Sequence, residues 1–441
     1  MRRVLFAVFL SSFITPFMTS GLSVALPIIA SDFSVGSAEA MAVFVLLNLA
    51  VAMWVLPFGR LADMWGPHVV FRAGLGVAGV GFLLAALSPA IGFFYASLLV
   101  AGVGLAAVFG SNNALIFHLV PPEKRAEAVG LNSMSVYVGL VAGPVLGGAV
   151  SQLSWRLILA IGAALAAVPY AMVMKSPRPV GGGRFDVLGS ALLAASTALV
   201  VVGVYAGSPS LAIPGVMLLA AAFFVEWKSP SPVLDVGLFR NYVFAASLAA
   251  ALLNYLATSA LQPSLSLLFQ KAFAMPPHYA GLLLSAQAAA MALFSPIAGR
   301  AGRRLPLAAL AAAGSAILAG MLFAYSAAPS PATAPLALFL IGVGFALFIV
   351  PNTTIILSAA PPERRGTASA LIAEARVVGM ALSNAVAGLI MKNAPNIKAG
   401  VSSVLVFLAY VSLATLALSL VRAGSRRGER RKNAVSKPST R

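Results

Sequence analysis

Fourteen runs of about 20 apolar residues follow one another along this chain, each long enough to cross roughly 30 Å of hydrocarbon as an α-helix. Backbone N–H and C=O groups find no water inside a bilayer, so only helices and closed barrels are open to such a chain. Barrel strands alternate apolar and polar residues over about ten positions. Stretches such as Val43–Phe58 and Leu336–Val350 are almost continuously apolar instead. The expected fold class is therefore an all-α integral membrane protein. Its spans are expected at 4–30, 39–58, 68–88, 91–118, 126–151, 155–174 and 185–206. The remainder are expected at 211–228, 242–269, 277–299, 305–327, 333–358, 366–391 and 400–421. The charged fraction agrees: 9% of the residues, against about 25% in soluble domains. The first run opens on Arg2-Arg3 and holds Pro16, Gly21 and Pro27, with no short core and small-residue cleavage pattern, so it reads as a retained span.

An even number of spans puts both termini on one side. The segments on that side hold 24 of the 29 Lys and Arg residues, and the other side holds Arg156, Lys271, Lys392 and Lys398. This is the bias of a chain whose termini are cytoplasmic. It accounts for the net charge of +18 without nucleic acid as a partner. The basic stretch from Arg422 to Arg441 reads as a topogenic tail that can touch anionic headgroups. With no cysteine there is no disulfide framework and no thiolate metal site.

Three stretches recur at a constant offset of 240 residues. Gly59-Arg60 returns as Gly299-Arg300, Gly102-Val103-Gly104 as Gly342-Val343-Gly344, and Pro121-Pro122-Glu123 as Pro361-Pro362-Glu363. Gly139 then matches Gly379. Six helices occupy about 180 residues, so an offset of 240 leaves room for two more. The plan is six helices in 1–178, an inserted pair in 179–241, six in 242–422 and a tail over 423–441. Parallel six-helix repeats are a known transporter plan.

Two motifs point the same way. Gly59-Arg60-Leu61-Ala62-Asp63-Met64-Trp65-Gly66 follows the second span. Its glycines permit a tight turn, and Asp63 is placed to cap a neighbouring helix N-terminus. In the fifth span, Gly139, Gly143, Pro144, Gly147 and Gly148 make a small-residue face that admits close helix approach, with a proline for a bend. Generic small-residue packing is the alternative reading of such a face. These stretches resemble the loop signature and the antiporter motif of the major facilitator superfamily. Ala25-Leu26-Pro27, Ser154-Trp155-Arg156, Arg184-Phe185-Asp186 and Leu238-Phe239-Arg240-Asn241 resemble its fourteen-helix drug:proton antiporter branch. The resemblance implies the major facilitator fold with 14 transmembrane helices, no enzymatic activity and no cofactor. It implies a monomer in the plasma membrane that exports lipophilic small molecules in exchange for protons. Two positions depart from the branch: its helix 1 acid is Met18 here, and its helix 4 arginine is Leu98. Those departures keep open an uncoupled facilitator or metabolite porter on the same scaffold. A membrane sensor or scaffold would want a folded soluble domain, and the loops are short.

Glu374 and Arg376 are the ionisable residues well inside a span, and an intramembrane charge is a functional candidate by default. They are the candidates for coupling. Asn48, Asn112, Asn254, Gln262 and Asn352 are candidates to line a cavity, though each can equally bond helix to helix. His68, His118 and His278 are dispersed, without metal-ligand spacing. The orientation is directly testable. A single cysteine placed at Ser330 is expected to react with an impermeant thiol reagent from outside the cell, and one at Ser436 is expected not to. The reverse pattern contradicts the orientation.

Overall fold

The structure, a computed structural model, describes residues 2–121, 124–173, 185–229 and 232–435. The expected boundary at 178/179 and the Pro122-Glu123 pair of the repeat lie outside these residues. The first six helices are α1 (Arg2–Asp32), α2 (Ala42–Trp65), α3 (Pro67–Ala86), α4 (Ile91–Leu119), α5 (Arg125–Val150) and α6 (Arg156–Met172). Two more follow, α7 (Val187–Ala206) and α8 (Pro209–Lys228). The next is α9 (Tyr242–Leu256), which resumes at Leu261–Leu267 and ends in a π turn, Leu268–Ala272. The last five are α10 (Pro277–Ala301), α11 (Leu307–Ala327), α12 (Ala334–Ala359), α13 (Arg365–Asn393) and α14 (Ile397–Val435). Thirteen are long and apolar enough to cross a membrane. The fourteenth, α6, has 17 residues, at the short end of what spans hydrocarbon.

Three local features differ from the sequence expectation. Residues 59–65 are not a turn: α2 continues to Trp65, and only Gly66, at φ 93°, breaks the chain before α3. That backbone region suits glycine. The span 242–269 is interrupted, because Pro263 has no N–H to offer the Ser259 carbonyl one turn back. Arg422, assigned above to the basic tail, is 1% exposed inside the bundle.

The repeat is visible as packing. Among the first six helices α1 lies on α5 and α6, α2 on α4, and α3 on α4 and α6. Among the last six α9 lies on α13 and α14, α10 on α12, and α11 on α12 and α14. Equivalent glycines meet equivalent neighbours. A Cβ on Gly102 would sit 2.6 Å from Ala50 Cβ, and one on Gly342 would sit 2.8 Å from Ala290 Cβ. Gly139 would meet Phe13 O and Phe17 N at 2.5 and 3.2 Å; Gly379 would meet Leu252 O and Leu256 N at the same two distances. Gly74 opposes Gly104 as Gly314 opposes Gly344. Helices in lipid gain little from hydrophobic burial, so close backbone approach at small residues is how they hold together.

The extra pair forms a hairpin closed at Gly207, whose φ of 64° ends α7. Asp186 caps α7 by accepting from Gly189 N at 2.7 Å. α7 lies against both α2 and α13, with Val201 among Val45, Leu49, Ala381 and Ala385. The two sets of six meet through α2 with α13, α5 with α10 and α1 with α9.

Alanine at Gly104 or Gly344 is expected to lower the thermal unfolding midpoint in detergent, each overpacking a tight crossing at a cost of roughly 1–3 kcal/mol. Alanine at Gly92 or Gly320, which have nothing within 4 Å, is expected not to lower it. Equal midpoints for all four variants would contradict the close-approach account.

Candidate functional site

A cavity of about 130 Å³ lies where the two sets of six helices meet. Its polar lining comes from Thr19, Ser20 and Ser23 of α1, Asn48 of α2, Tyr255, Thr258, Ser259 and Gln262 of the broken α9, and Gln287 of α10. Phe44, Leu140, Met291, Phe345 and Met380 complete it. Among the described residues the lining contains no charged side chain. Much of its donor capacity is already committed. Ser20 Oγ donates to Pro16 O at 2.5 Å, Ser23 Oγ to Thr19 O at 2.9 Å and Thr258 Oγ1 to Asn254 O at 2.8 Å. Asn48 Nδ2 donates to Phe44 O at 2.8 Å. These bonds one turn back are the usual resort of Ser and Thr in helices. They leave oxygen lone pairs facing the cavity. Gln287 Oε1 is enclosed and takes no hydrogen bond.

Beside this cavity, between α5 and α10, is a cleft of about 940 Å³ lined by Met134, Tyr137, Val138, Val141, Leu146, Ala292, Ser295 and Pro296 among others. It is apolar except for hydroxyls. Ser295 Oγ donates to Tyr137 Oη at 2.8 Å, tying α5 to α10 across the cleft. The wall between the two spaces is thin: Leu140 and Met291 line the cavity, and Tyr137 and Ser295 line the cleft, each one helical turn away.

The small-residue motif of α5 has two faces. Gly139, Gly143 and Gly147 press on the α1 backbone at Phe13, Phe17 and Gly21. Gly148 and Pro144 press on Pro277, His278 and Gly281 of α10. Gln152 bonds His278 beside them. Next to this, Gln270 Nε2 donates to Val24 O at 2.7 Å, joining α9 to α1. The α5–α10 seam is thus shut at the face away from the termini and parted, by the cleft, toward the terminal face.

Glu374 and Arg376 lie on different sides of α13. The Arg376 guanidinium of α13 sits 4.8 Å from the centre of the Phe109 ring of α4. It therefore touches both sets of six. Glu374 is half-buried, and its Oε2 is enclosed without a partner. Gly59 crosses Gly110 of α4, Arg60 is half-buried, and Asp63 is exposed. Met18, where the resembled branch carries an acid, is fully buried on Gly162 of α6 rather than in the cavity.

Of the polar candidates, Asn48 and Gln262 line the cavity; Asn112, Asn254 and Asn352 do not. Asn112 Nδ2 donates to Ser12 Oγ at 2.6 Å, and Ser12 Oγ donates to Asn132 Oδ1 at 2.6 Å, fastening α4, α1 and α5. In the second set, Arg422 Nη1 donates to Asn352 Oδ1 at 2.6 Å and to Ser247 Oγ at 2.7 Å, fastening α14, α12 and α9. Asn254 is 0% exposed, and neither amide atom has a partner. The sequence reading missed Tyr137, Tyr255, Ser295 and Arg422. Nothing local distinguishes a tyrosine or serine that bridges two bundles from one that faces lipid. Among the described residues no group of three or more His, Cys, Asp and Glu is placed to hold a metal.

Comparison with known proteins bears on this geometry. The family model described as "Major Facilitator Superfamily" matches residues 8–233 and 247–440. The Escherichia coli (strain K12) protein "Uncharacterized transporter YebQ" is 29% identical over 84% of this chain and 84% of its own. "Multidrug resistance protein Stp" of Mycobacterium tuberculosis (strain CDC 1551 / Oshkosh) is 29% identical over 88% of this chain and 74% of its own. "Riboflavin transporter RibZ" of Clostridioides difficile (strain 630) is 25% identical over 87% and 86%. Among solved structures, a POT family transporter in complex with thioalcohol conjugated peptide superposes with a TM-score of 0.73 at 15% identity, covering 96% of each chain. That likeness speaks for the fold alone.

Proposed function

The chain belongs to the Major Facilitator Superfamily as a multi-pass membrane transporter, and we propose that it is a secondary active exporter of lipophilic small molecules, coupled to protons and working by alternating access. The observation that carries this reading is the central cavity, walled by both sets of six helices and shut on one face by the α5 motif. At about 130 Å³ it is well below the roughly 300–1,000 Å³ of ligand pockets, so cargo enters only if the two sets move apart. On this reading 1–178 and 242–422 are the two rocking units, 179–241 is an inserted pair and 423–441 is a basic tail. The protein acts as a monomer in the plasma membrane with both termini cytoplasmic, as the charge bias supports. Gly59, Arg60, Asp63 and Gly66 would gate the cytoplasmic side. The likeness to Stp, named a multidrug resistance protein, supports a drug-like cargo.

The proton-coupling role falls to Glu374, with Arg376 as its companion on α13. Glu374 has an enclosed carboxyl oxygen without a partner, and α1 offers no acid at Met18. A carboxylate without a hydrogen-bond partner in a low-dielectric site is costly, and taking up a proton relieves that cost. A second reading, an uncoupled facilitator or metabolite porter, is favoured by Met18 and Leu98 and by the likeness to RibZ.

The two are separated in proteoliposomes. A gradient of one pH unit supplies about 1.4 kcal/mol, enough for roughly tenfold accumulation per proton. Wild-type protein is expected to accumulate substrate toward that limit. Glu374→Gln is expected to lose the accumulation while keeping exchange at equal pH. Unchanged accumulation in the variant removes Glu374 from coupling. None in the wild type favours the facilitator.

A further inference from the structure

The two spaces at the α5–α10 seam, taken together, constrain the cargo. The larger one, about 940 Å³, is apolar and lies among side chains that look outward to lipid: Met134 is 61% exposed, and Val138 and Leu146 about half. Water has few partners there, whereas an alkyl or aromatic body fits. The smaller one is polar, uncharged in its described lining, and much of its hydroxyl donor capacity is spent. The hydroxyl protons of Ser20, Ser23 and Thr258 return to their own helices. Gln287, 5% exposed and lining the cavity, keeps an enclosed oxygen with no donor to meet it. A buried acceptor without a donor is unfavourable, and a ligand that brings the donor removes the penalty. Among the described residues no carboxylate lines either space. Arg376, one turn along α13 from Met380 of the cavity wall, sets a positive charge nearby. A permanent cation would meet repulsion and no counter-charge; a carboxylate cargo would bring no donor to Gln287 Oε1.

We infer that the cargo is an uncharged amphiphile with a hydrogen-bond donor on its polar end. Its apolar body lodges in the α5–α10 cleft, and its donor reaches Gln287 Oε1 once the Tyr137–Ser295 bond parts. The inference rests on the transport reading above and names the class of substrate that the same site takes. Tyr137 and Ser295 close the wall between the two spaces, so the hydroxyl bond at 2.8 Å acts as the latch between them.

The test uses the full chain in proteoliposomes and three matched fluorescent probes. They are N-octyl dansylamide, which carries one sulfonamide N–H, its N-methyl derivative, which carries none, and an analogue whose octyl chain ends in trimethylammonium. Flux to an albumin acceptor outside is measured for each and corrected with protein-free vesicles. The N–H probe is expected to move at least about threefold faster than the N-methyl probe, the scale of one hydrogen bond. The trimethylammonium probe is expected to move slowest. Gln287→Leu is expected to bring the first ratio to about one, and Ala292→Trp, which fills the cleft, to slow the N–H probe severalfold. A cationic probe that outruns the amide overturns the inference and leaves the transport reading standing. So does an N–H to N-methyl ratio of one in the wild-type protein. Movement of none of the three contradicts both.

Discussion

Backbone touching backbone at glycine is the contact on which the rest of this molecule depends. Within hydrocarbon, neighbouring helices gain almost nothing by hiding apolar side chains from lipid that is equally apolar, so attraction must come from atoms in close contact. Gly74 with Gly104, Gly314 with Gly344, and Gly139 and Gly379 with α1 and α9 bring helix axes near enough for that. The same approach excludes a methyl group at each crossing. Polar clamps reinforce each set near the terminal face: Asn112–Ser12–Asn132 in one, Arg422–Asn352–Ser247 in the other. Each set thus has its own internal fastening. The contacts between sets include glycine crossings too, and at the α5–α10 seam they are dense at one end and interrupted by a cleft at the other. A body built in this way can move as two units about the cavity between them, which is what the proposed alternating access requires.

Much of this architecture is legible in the sequence. The apolar runs locate most spans to within a few residues, because nothing but a helix satisfies a backbone in lipid, while α2 and α14 run on beyond theirs to Trp65 and Val435. The 240-residue offset announces the correspondence that the glycine contacts then display. Even the departure at α1 has a structural counterpart, since Met18 fills the space against Gly162 instead of facing the cavity. The resemblance to the major facilitator superfamily agrees with the family match. The narrower drug:proton branch stays a proposal.

The site was far less legible, for reasons that are physical. A buried asparagine satisfies its amide wherever a partner comes within reach, so Asn48 lines a cavity while Asn112 and Asn352 fasten helices. Composition cannot distinguish these fates, because they depend on which face of the helix meets a neighbour. The Gly59–Gly66 stretch read as a turn because glycines permit one, yet Gly59 lies within α2, where Gly110 of α4 crosses it, and only Gly66 turns the chain. Arg422 read as a tail residue because positive charge marks the cytoplasmic end of a span. Its long side chain instead reaches back to Ser247 and Asn352.

The central claim is that the seam between α5 and α10, shut around Gly148 and His278, must open for cargo to pass. The chain has no cysteine, so a pair can be introduced without background. The most direct measurement is substrate flux through a Gln152→Cys/His278→Cys protein after its two thiols are joined by a short reducible cross-link. The account expects flux to fall to the level of protein-free vesicles, to return on reduction, and to be unaffected by the same reagent in either single variant. Undiminished flux through the cross-linked protein would contradict it.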